Sequence, residues 1–273
     1  MTAVRLSSVS DEQVYGGKAM QLGAAIRAGL PVPDGFALDT AFVDAIASGE
    51  AGARVKLEGL CTEFSGHMAV RSSAIGEDSA GASFAGQHAT VLNVKGPEAI
   101  LDAVLSVWQS ARTESAMAYR ARVGADMTMG MGVVIQRLVD ADVAGVLFTC
   151  NPVTGHNELV VEAAWGLGEA VVQGLVIPDT YRMDRAGYLL ESRAGYKDVM
   201  VRRVPGGKTR TEAVVAHLVE DHCLDAERLA ALRHLVERCE IVFGAGPHDI
   251  EWALERETLY LLQLRPVTNL PGV

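Results

Sequence analysis

One stretch restricts the fold more than any other. The apolar run Met68-Ala69-Val70 delivers Arg71, Ser72 and Ser73, and a long small-residue segment then runs to Gln87. That segment holds Gly76, Ser79, Ala80, Gly81, Ala82, Ser83, Ala85 and Gly86, and the chain turns β-rich again over His88 to Val94. Small residues let a backbone approach a ligand closely, and successive free N–H groups suit an anion. A loop of this length inside a compact domain is either functional or disordered. With an arginine at its entrance the loop fits phosphate handling, and an ordinary flexible surface loop is the alternative.

Composition narrows the classes. The chain has 273 residues, is 49% hydrophobic and 21% charged, and can bury a large core as one domain or two lobes. A formal net charge of −10 argues against nucleic acid or an anionic membrane as the main partner. An acidic chain that binds polyphosphate must cluster its few cations and bring a divalent metal. Met1 to Ser10 lacks a signal-peptide pattern and no apolar run reaches membrane-spanning length, so a cytoplasmic location is expected. Cys61, Cys150, Cys223 and Cys239 form no CxxC pair and read as reduced thiols on core or helix faces.

In chain order, Gly16-Gly17-Lys18 opens a helix predicted over 18–28, stopped by Gly29, Pro31 and Pro33. Lys18 can reach a phosphate from there, or it is a solvated lysine after a turn. A second helix is expected over 40–48, and no structure is assigned to 51–64. Pro97 starts a helix with Ile100, Leu101, Val104, Leu105 and Trp108 on its core face, and 116–123 continues helically with Arg120 and Arg122 exposed. Strands are expected over 131–139, 145–149, 158–164, 180–183, 188–192 and 198–204. Asp225 caps an amphipathic helix carrying Leu229, Leu232, Val236, Cys239 and Phe243, and Gly244 stops it.

The chain ends in a hairpin predicted over 249–254 and 259–265. Alternation places Asp249 and Glu251 on one face, opposite Ile250, Trp252 and Leu254. In the return strand Gln263 and Arg265 share a face, with Leu262 and Leu264 on the other. Two carboxylates, a carboxamide and a guanidinium can then converge. Such oxygens suit Mg²⁺ and the guanidinium suits phosphate, whereas the bland alternative is a solvated hairpin with balanced charges. Gly206-Gly207-Lys208-Thr209 lacks the first glycine of a P-loop, and Gly166-Leu167-Gly168 lacks the third glycine of a dinucleotide fingerprint.

Five blocks in series carry a family resemblance. They are Gly16-Gly17-Lys18 with Leu22-Gly23 and Val32 to Phe36; Ala69 to Ala74 through Ala82 to Gln87 with Leu92-Asn93; and Gly145 to Thr149 with Asn151 to Gly155. Ala164 to Gly174 is the fourth, and Asp249 to Trp252 with Gln263 to Thr268 is the fifth. Together they resemble the ATP-binding domain shared by phosphoenolpyruvate synthase, pyruvate phosphate dikinase and rifamycin phosphotransferase, over nearly the whole chain.

The resemblance implies an α+β ATP-grasp fold whose two lobes clamp ATP, here 1–138 with the phosphate-binding loop and 139–273 with the metal-binding hairpin. It implies transfer of the β-phosphoryl of ATP to a histidine on a separate domain or subunit, with release of AMP and phosphate. Matched position by position, Lys18, Arg71 and Arg265 take the catalytic roles. Ser83, Gly86, Gln87 and Thr90 enclose the phosphates, and Gln136 lies near the adenine. Glu251, with Gln263 and Asp249, holds Mg²⁺. His67, His88, His156, His217, His222, His234 and His248 stand in no matching context, so the accepting histidine is expected on a partner that passes phosphoryl to a small molecule. A self-sufficient small-molecule kinase and a non-catalytic nucleotide-binding module are the competing readings.

Overall fold

Among the described residues three antiparallel sheets organise the chain, because its apolar residues alternate in short runs separated by glycine- and proline-rich turns. The computed structural model describes residues 1–63, 66–76, 89–113 and 130–267. The predicted helix at 116–123 and the small-residue loop from Glu77 to His88 lie outside the described residues. Two compact units emerge. Unit 1 comprises Met1–Arg27, Pro33–Leu138 and Pro205–Lys208, and unit 2 comprises Ala28–Val32, Val139–Val204 and Thr209–Val273.

Unit 1 is built on a five-stranded sheet in the order β1-β2-β5-β3-β4. Its strands are β1 (Ala3–Arg5), β2 (Gly35–Leu38), β3 (Met68–Ala74), β4 (Thr90–Val94) and β5 (Met131–Arg137). The helices are α1 (Glu12–Tyr15), α2 (Gly17–Arg27), α3 (Thr40–Ala47), α4 (Ala51–Cys61) and α5 (Pro97–Ser110). Asp39 starts α3 by accepting a hydrogen bond from Phe42 N–H at 2.6 Å. One sheet face sends Leu38, Met68, Val70, Val133 and Ile135 into a core with Phe42, Ile46, Leu57, Ile100, Val104 and Val107. The stripe expected on α5 is rotated slightly. Ile100, Ala103, Val104 and Val107 are buried, while Leu101, Leu105 and Trp108 pack at the core margin. Residues 51–61, left unassigned from the sequence, are helical because Ala53 and Leu57, four apart, seal the same core.

Unit 2 is built on a six-stranded sheet in the order β13-β12-β6-β7-β8-β9. Its strands are β6 (Val143–Phe148), β7 (Leu159–Trp165), β8 (Asp179–Met183), β9 (Leu189–Arg193), β12 (His248–Glu255) and β13 (Thr258–Pro266). Beside it β10 (Val199–Arg203) and β11 (Thr209–Ala213) form a separate ladder, and β11 was not anticipated. The near-miss P-loop glycines, Gly206 and Gly207, lie in the turn joining them. The capped helix Ala226–Phe243 forms as expected: Asp225 accepts from Arg228 N–H at 2.9 Å and Gly244 ends it at φ +87°. It buries Leu229, Leu232, Leu235, Val236 and Cys239.

A fully buried ion pair anchors this unit. Lys197 and Asp179 are both 0% exposed, and the Lys197 ammonium donates to Asp179 Oδ1. Burial alone would raise the Asp179 pKa. Hydrogen bonds from Gly195 N–H (2.7 Å), Lys197 and Cys223 N–H (2.8 Å) overcome that and hold it below the usual carboxylate range. Among the described residues no helix is long and apolar enough to cross a membrane.

Candidate functional site

In unit 1 the predicted residues gather on the sheet face away from the α3–α5 core. Strand β3 alternates Val70 into the core with Arg71 and Ser73 on the other face. Arg71 pairs across the ladder with Thr90 and with Val134, and Ala69 pairs with Gln136. Arg71, Thr90 and Gln136 therefore share one face. The N-terminus of α2 comes to the same face, where Ala19 N–H donates to Ser73 Oγ at 3.0 Å. Lys18, the second residue of α2, is 4% exposed and Arg71 is 7% exposed. Both cations thus lie well away from water, unlike the lysines and arginines of an ordinary solvated surface.

Gly16 makes this approach possible. Its φ is +83°, and a Cβ there would lie 1.9 Å from the Ser73 carbonyl oxygen. Only glycine lets the α1–α2 turn reach the end of β3. The first residues after β3 are tied down too, since Gly76 N–H donates to Glu12 Oε1 at 3.2 Å. Gln136 is buried, and its side-chain amide donates to the Pro33 carbonyl at 2.9 Å. Ser83, Gly86 and Gln87 lie outside the described residues.

In unit 2 the hairpin brings its four polar residues together. Asp249 pairs with Arg265 and Glu251 with Gln263, so all four share one face. The register then shifts: Trp252 opposes Leu261, and Leu262 is passed over. The facing of Leu262 read from strict alternation thus gives way to a bulge. Arg265 binds Asp249 Oδ2 through Nε at 2.8 Å and Nη2 at 2.6 Å. Asp249 Oδ1 is buried with no hydrogen-bond partner among the described residues. Burial pushes the Asp249 carboxyl above its ordinary range, Arg265 opposes that and Glu251 adds to it. A buried carboxylate oxygen with no donor, set among oxygen ligands, fits a hard divalent cation.

Among the described residues no group of three His, Cys, Asp or Glu side chains is placed to hold a metal by itself. A cation here needs oxygens from elsewhere, as Mg²⁺ commonly takes them from water and phosphate.

Sequence reading missed Glu162. It sits on β7 opposite Val146, which pairs on its other side with Glu251, so Glu162 points to the carboxylate face. Burial raises its pKa and Asp249 raises it further, against Arg193. β7 is buried on both sides of Glu162 with no alternation to read, and only the ladder register through Val146 aligns it with Glu251. A groove of about 450 Å³ in this unit, lined by Tyr181, Met183, Leu229 and Arg233, involves the opposite sheet face and none of these residues.

Comparison with known proteins follows the same line. Residues 51–272 match the family model described as pyruvate phosphate dikinase, AMP/ATP-binding domain. A probable phosphoenolpyruvate synthase of Methanothermobacter thermautotrophicus is 34% identical over 95% of this chain and 45% of its own length. A rifampicin phosphotransferase of a Streptomyces species is 43% identical over 74% of this chain and 23% of its own length. The chain thus spans less than half of these curated relatives. Among solved structures, an L-amino acid ligase from Bacillus licheniformis resembles it loosely, with TM-score 0.45 and 14% identity over 92% of this chain and 42% of that one. Helices and sheets combine in both units, so the α+β class holds. The chain belongs to the family of pyruvate phosphate dikinase AMP/ATP-binding domains.

Proposed function

We propose that this chain binds ATP and passes its β-phosphoryl group to a histidine on a partner domain or subunit, releasing AMP and phosphate. The observation that carries the reading is a pair of buried cations in unit 1, Arg71 on β3 and Lys18 at the start of α2, whose N-terminus is bonded to Ser73 of the same strand face. Buried cations on a face reached by a helix N-terminus suit a polyphosphate. Lys18 and Arg71 neutralise the phosphates, with Thr90 and the loop holding Ser83, Gly86 and Gln87 beside them. Gln136 serves the adenine end. Asp249, Glu251 and Gln263 hold Mg²⁺, which when bound supplies charge neutralisation to the phosphates. Arg265, steadied by Asp249, stabilises charge on the phosphoryl group in flight. The final acceptor is a small molecule that the histidine-bearing partner selects. Such chemistry is positioning and charge dispersal, and the proposed residues provide both.

The test incubates the full chain with Mg·ATP and the histidine-bearing segment of a relative, separating nucleotides by chromatography. AMP together with a phosphohistidine is the expected product. ADP as the sole product with every partner would refute the reading.

A further inference from the structure

Strand register in unit 2 extends the polar face beyond the hairpin. Gln263, Glu251, Val146 and Glu162 form one continuous cross-strand row over β13, β12, β6 and β7. Asp249, on the neighbouring row, points to the same side. Strands lie about 4.8 Å apart, so the Cα atoms of Glu162 and Glu251 are about 10 Å apart, with a valine between them. Two glutamate side chains leaning toward each other over that span leave a gap suited to a hydrated ion. Together with Asp249 they are not placed to close on one bare ion. The absence of a three-carboxylate metal cluster among the described residues agrees with that spacing.

Two independent features single out this gap. Glu162 is half-buried, yet its carboxylate makes no hydrogen bond or ion pair with any described residue. Asp249 is 7% exposed and its Oδ1 also lacks a hydrogen-bond partner among the described residues. Unpaired carboxylate oxygens concentrated on one face of a β-sheet are unfavourable without a counter-charge. Arg193, the cation that reaches Glu162 electrostatically, lies two strands away across Thr180 and is exposed.

We propose that Glu162 is a positioning residue for the divalent cation of this face, holding a metal-bound water rather than the metal, and so raising cation affinity from outside the ligand set. This rests on the cation role proposed above for Asp249 and Glu251. Mg²⁺ keeps several of its waters when bound to proteins, and outer groups that orient what the metal binds are commonly worth roughly 10-fold or more in affinity. Removing the charge while keeping the shape isolates the effect.

The experiment titrates Mn²⁺ into the full chain with the β,γ-imido analogue of ATP and follows free Mn²⁺ by electron paramagnetic resonance. Glu162→Gln is expected to weaken Mn²⁺ binding about tenfold. Glu162→Asp should recover part of the loss, since it keeps the charge on a shorter arm. Binding of the analogue in EDTA should be unchanged, which a general structural defect would not allow. Unchanged Mn²⁺ affinity in Glu162→Gln alongside a loss in Asp249→Asn overturns this inference alone. Unchanged affinity in both variants overturns the inference and the cation role of the hairpin together. Where Glu162→Gln fails to fold, Glu162→Asp decides: an affinity equal to the parent's overturns the proposal.

Discussion

Gly16 offers the sharpest test of how unit 1 positions Lys18. Its backbone lies at φ +83°, ψ 166°, and Gly96, the N-cap of α5, lies at nearly the same place, φ +87°, ψ 159°. Alanine is strained in this region by about 1–3 kcal/mol, at either position alike. The surroundings differ. A Cβ at Gly96 meets nothing within 4 Å, whereas at Gly16 it meets Ser73 O at 1.9 Å, Ser73 C at 2.4 Å and Ser73 Oγ at 2.6 Å. Two of these atoms are backbone in the middle of a paired sheet, so β3 or the start of α2 must move by about 1 Å. Overpacking of that kind costs about 1–3 kcal/mol, and loss of the Ala19 N–H to Ser73 Oγ bond adds about 1 kcal/mol. Gly16→Ala should therefore destabilise unit 1 by about 2–4 kcal/mol more than Gly96→Ala, a factor of 30 or more in the unfolding equilibrium. Urea-dependent hydrogen exchange on peptides from β3 and β5 reads unit 1 alone, which matters where two units can unfold separately. Equal losses in the two variants, within about 0.5 kcal/mol, would show that α2 does not rest on the end of β3.

Two further outcomes follow from buried charge in unit 2. Lys197→Met leaves the Asp179 carboxylate uncompensated at 0% exposure and should cost about 3–5 kcal/mol in urea unfolding, with Asp179→Asn added to it recovering part of that; a loss below about 1 kcal/mol would sink the reading. Arg182 donates to Glu158 Oε1 at 3.0 Å and Oε2 at 2.9 Å and, against burial, holds its pKa down. A depressed carboxyl stabilises the fold above its unfolded value of about 4.3 and loses that contribution as pH falls through the folded value. The stability gap between parent and Arg182→Gln should accordingly be full at neutral pH and close in acid; a gap of constant size from pH 7 to pH 3 would contradict it.

Local patterns in the sequence carried most of the elements. Period-two alternation gave the hairpin its polar face, and the caps at Asp225 and Gly244 bounded the long helix correctly. What stayed hidden depends on partners distant in the chain. Residues 51–61 offer only Ala53 and Leu57 as buried positions, too faint a stripe to read before α3 and α5 form the surface they pack on. Gly16 looks like any turn glycine until Ser73 arrives beside it. The bulge that passes over Leu262 is set by how β12 pairs with β13, which alternation within one strand cannot show. Glu162 escaped for a similar reason. Within β7 it is a single acid in an apolar run, and only the register through Val146 aligns it with Glu251. The α+β class and the family were legible because they rest on motifs. The residues proposed to act on phosphate and cation were named from matched positions, and the structure supplies their neighbours.

The charge balance of the hairpin face limits what it can do unaided. Of its polar residues, Arg265 is the one cation, and its guanidinium is held by Asp249. Burial nevertheless leaves the Asp249 carboxyl above its ordinary range, and Glu162 is raised in the same sense. A folded-state pKa raised in this way favours the protonated form, so these groups stabilise the fold at low pH and that contribution is lost as pH rises through the raised values. In its deprotonated form the face therefore stores unfavourable charge. A polyphosphate approaching it in a chain of net charge −10 meets repulsion. A divalent cation in the role proposed for the hairpin would reverse both effects at once, by binding the deprotonated carboxylates and attracting the phosphates. Cation affinity must then fall as pH drops through the raised carboxyl range, as protons compete for the same oxygens. On the cation role proposed for the hairpin, the ligand-free face would be the less stable one, and metal and nucleotide would each bind more tightly in the presence of the other.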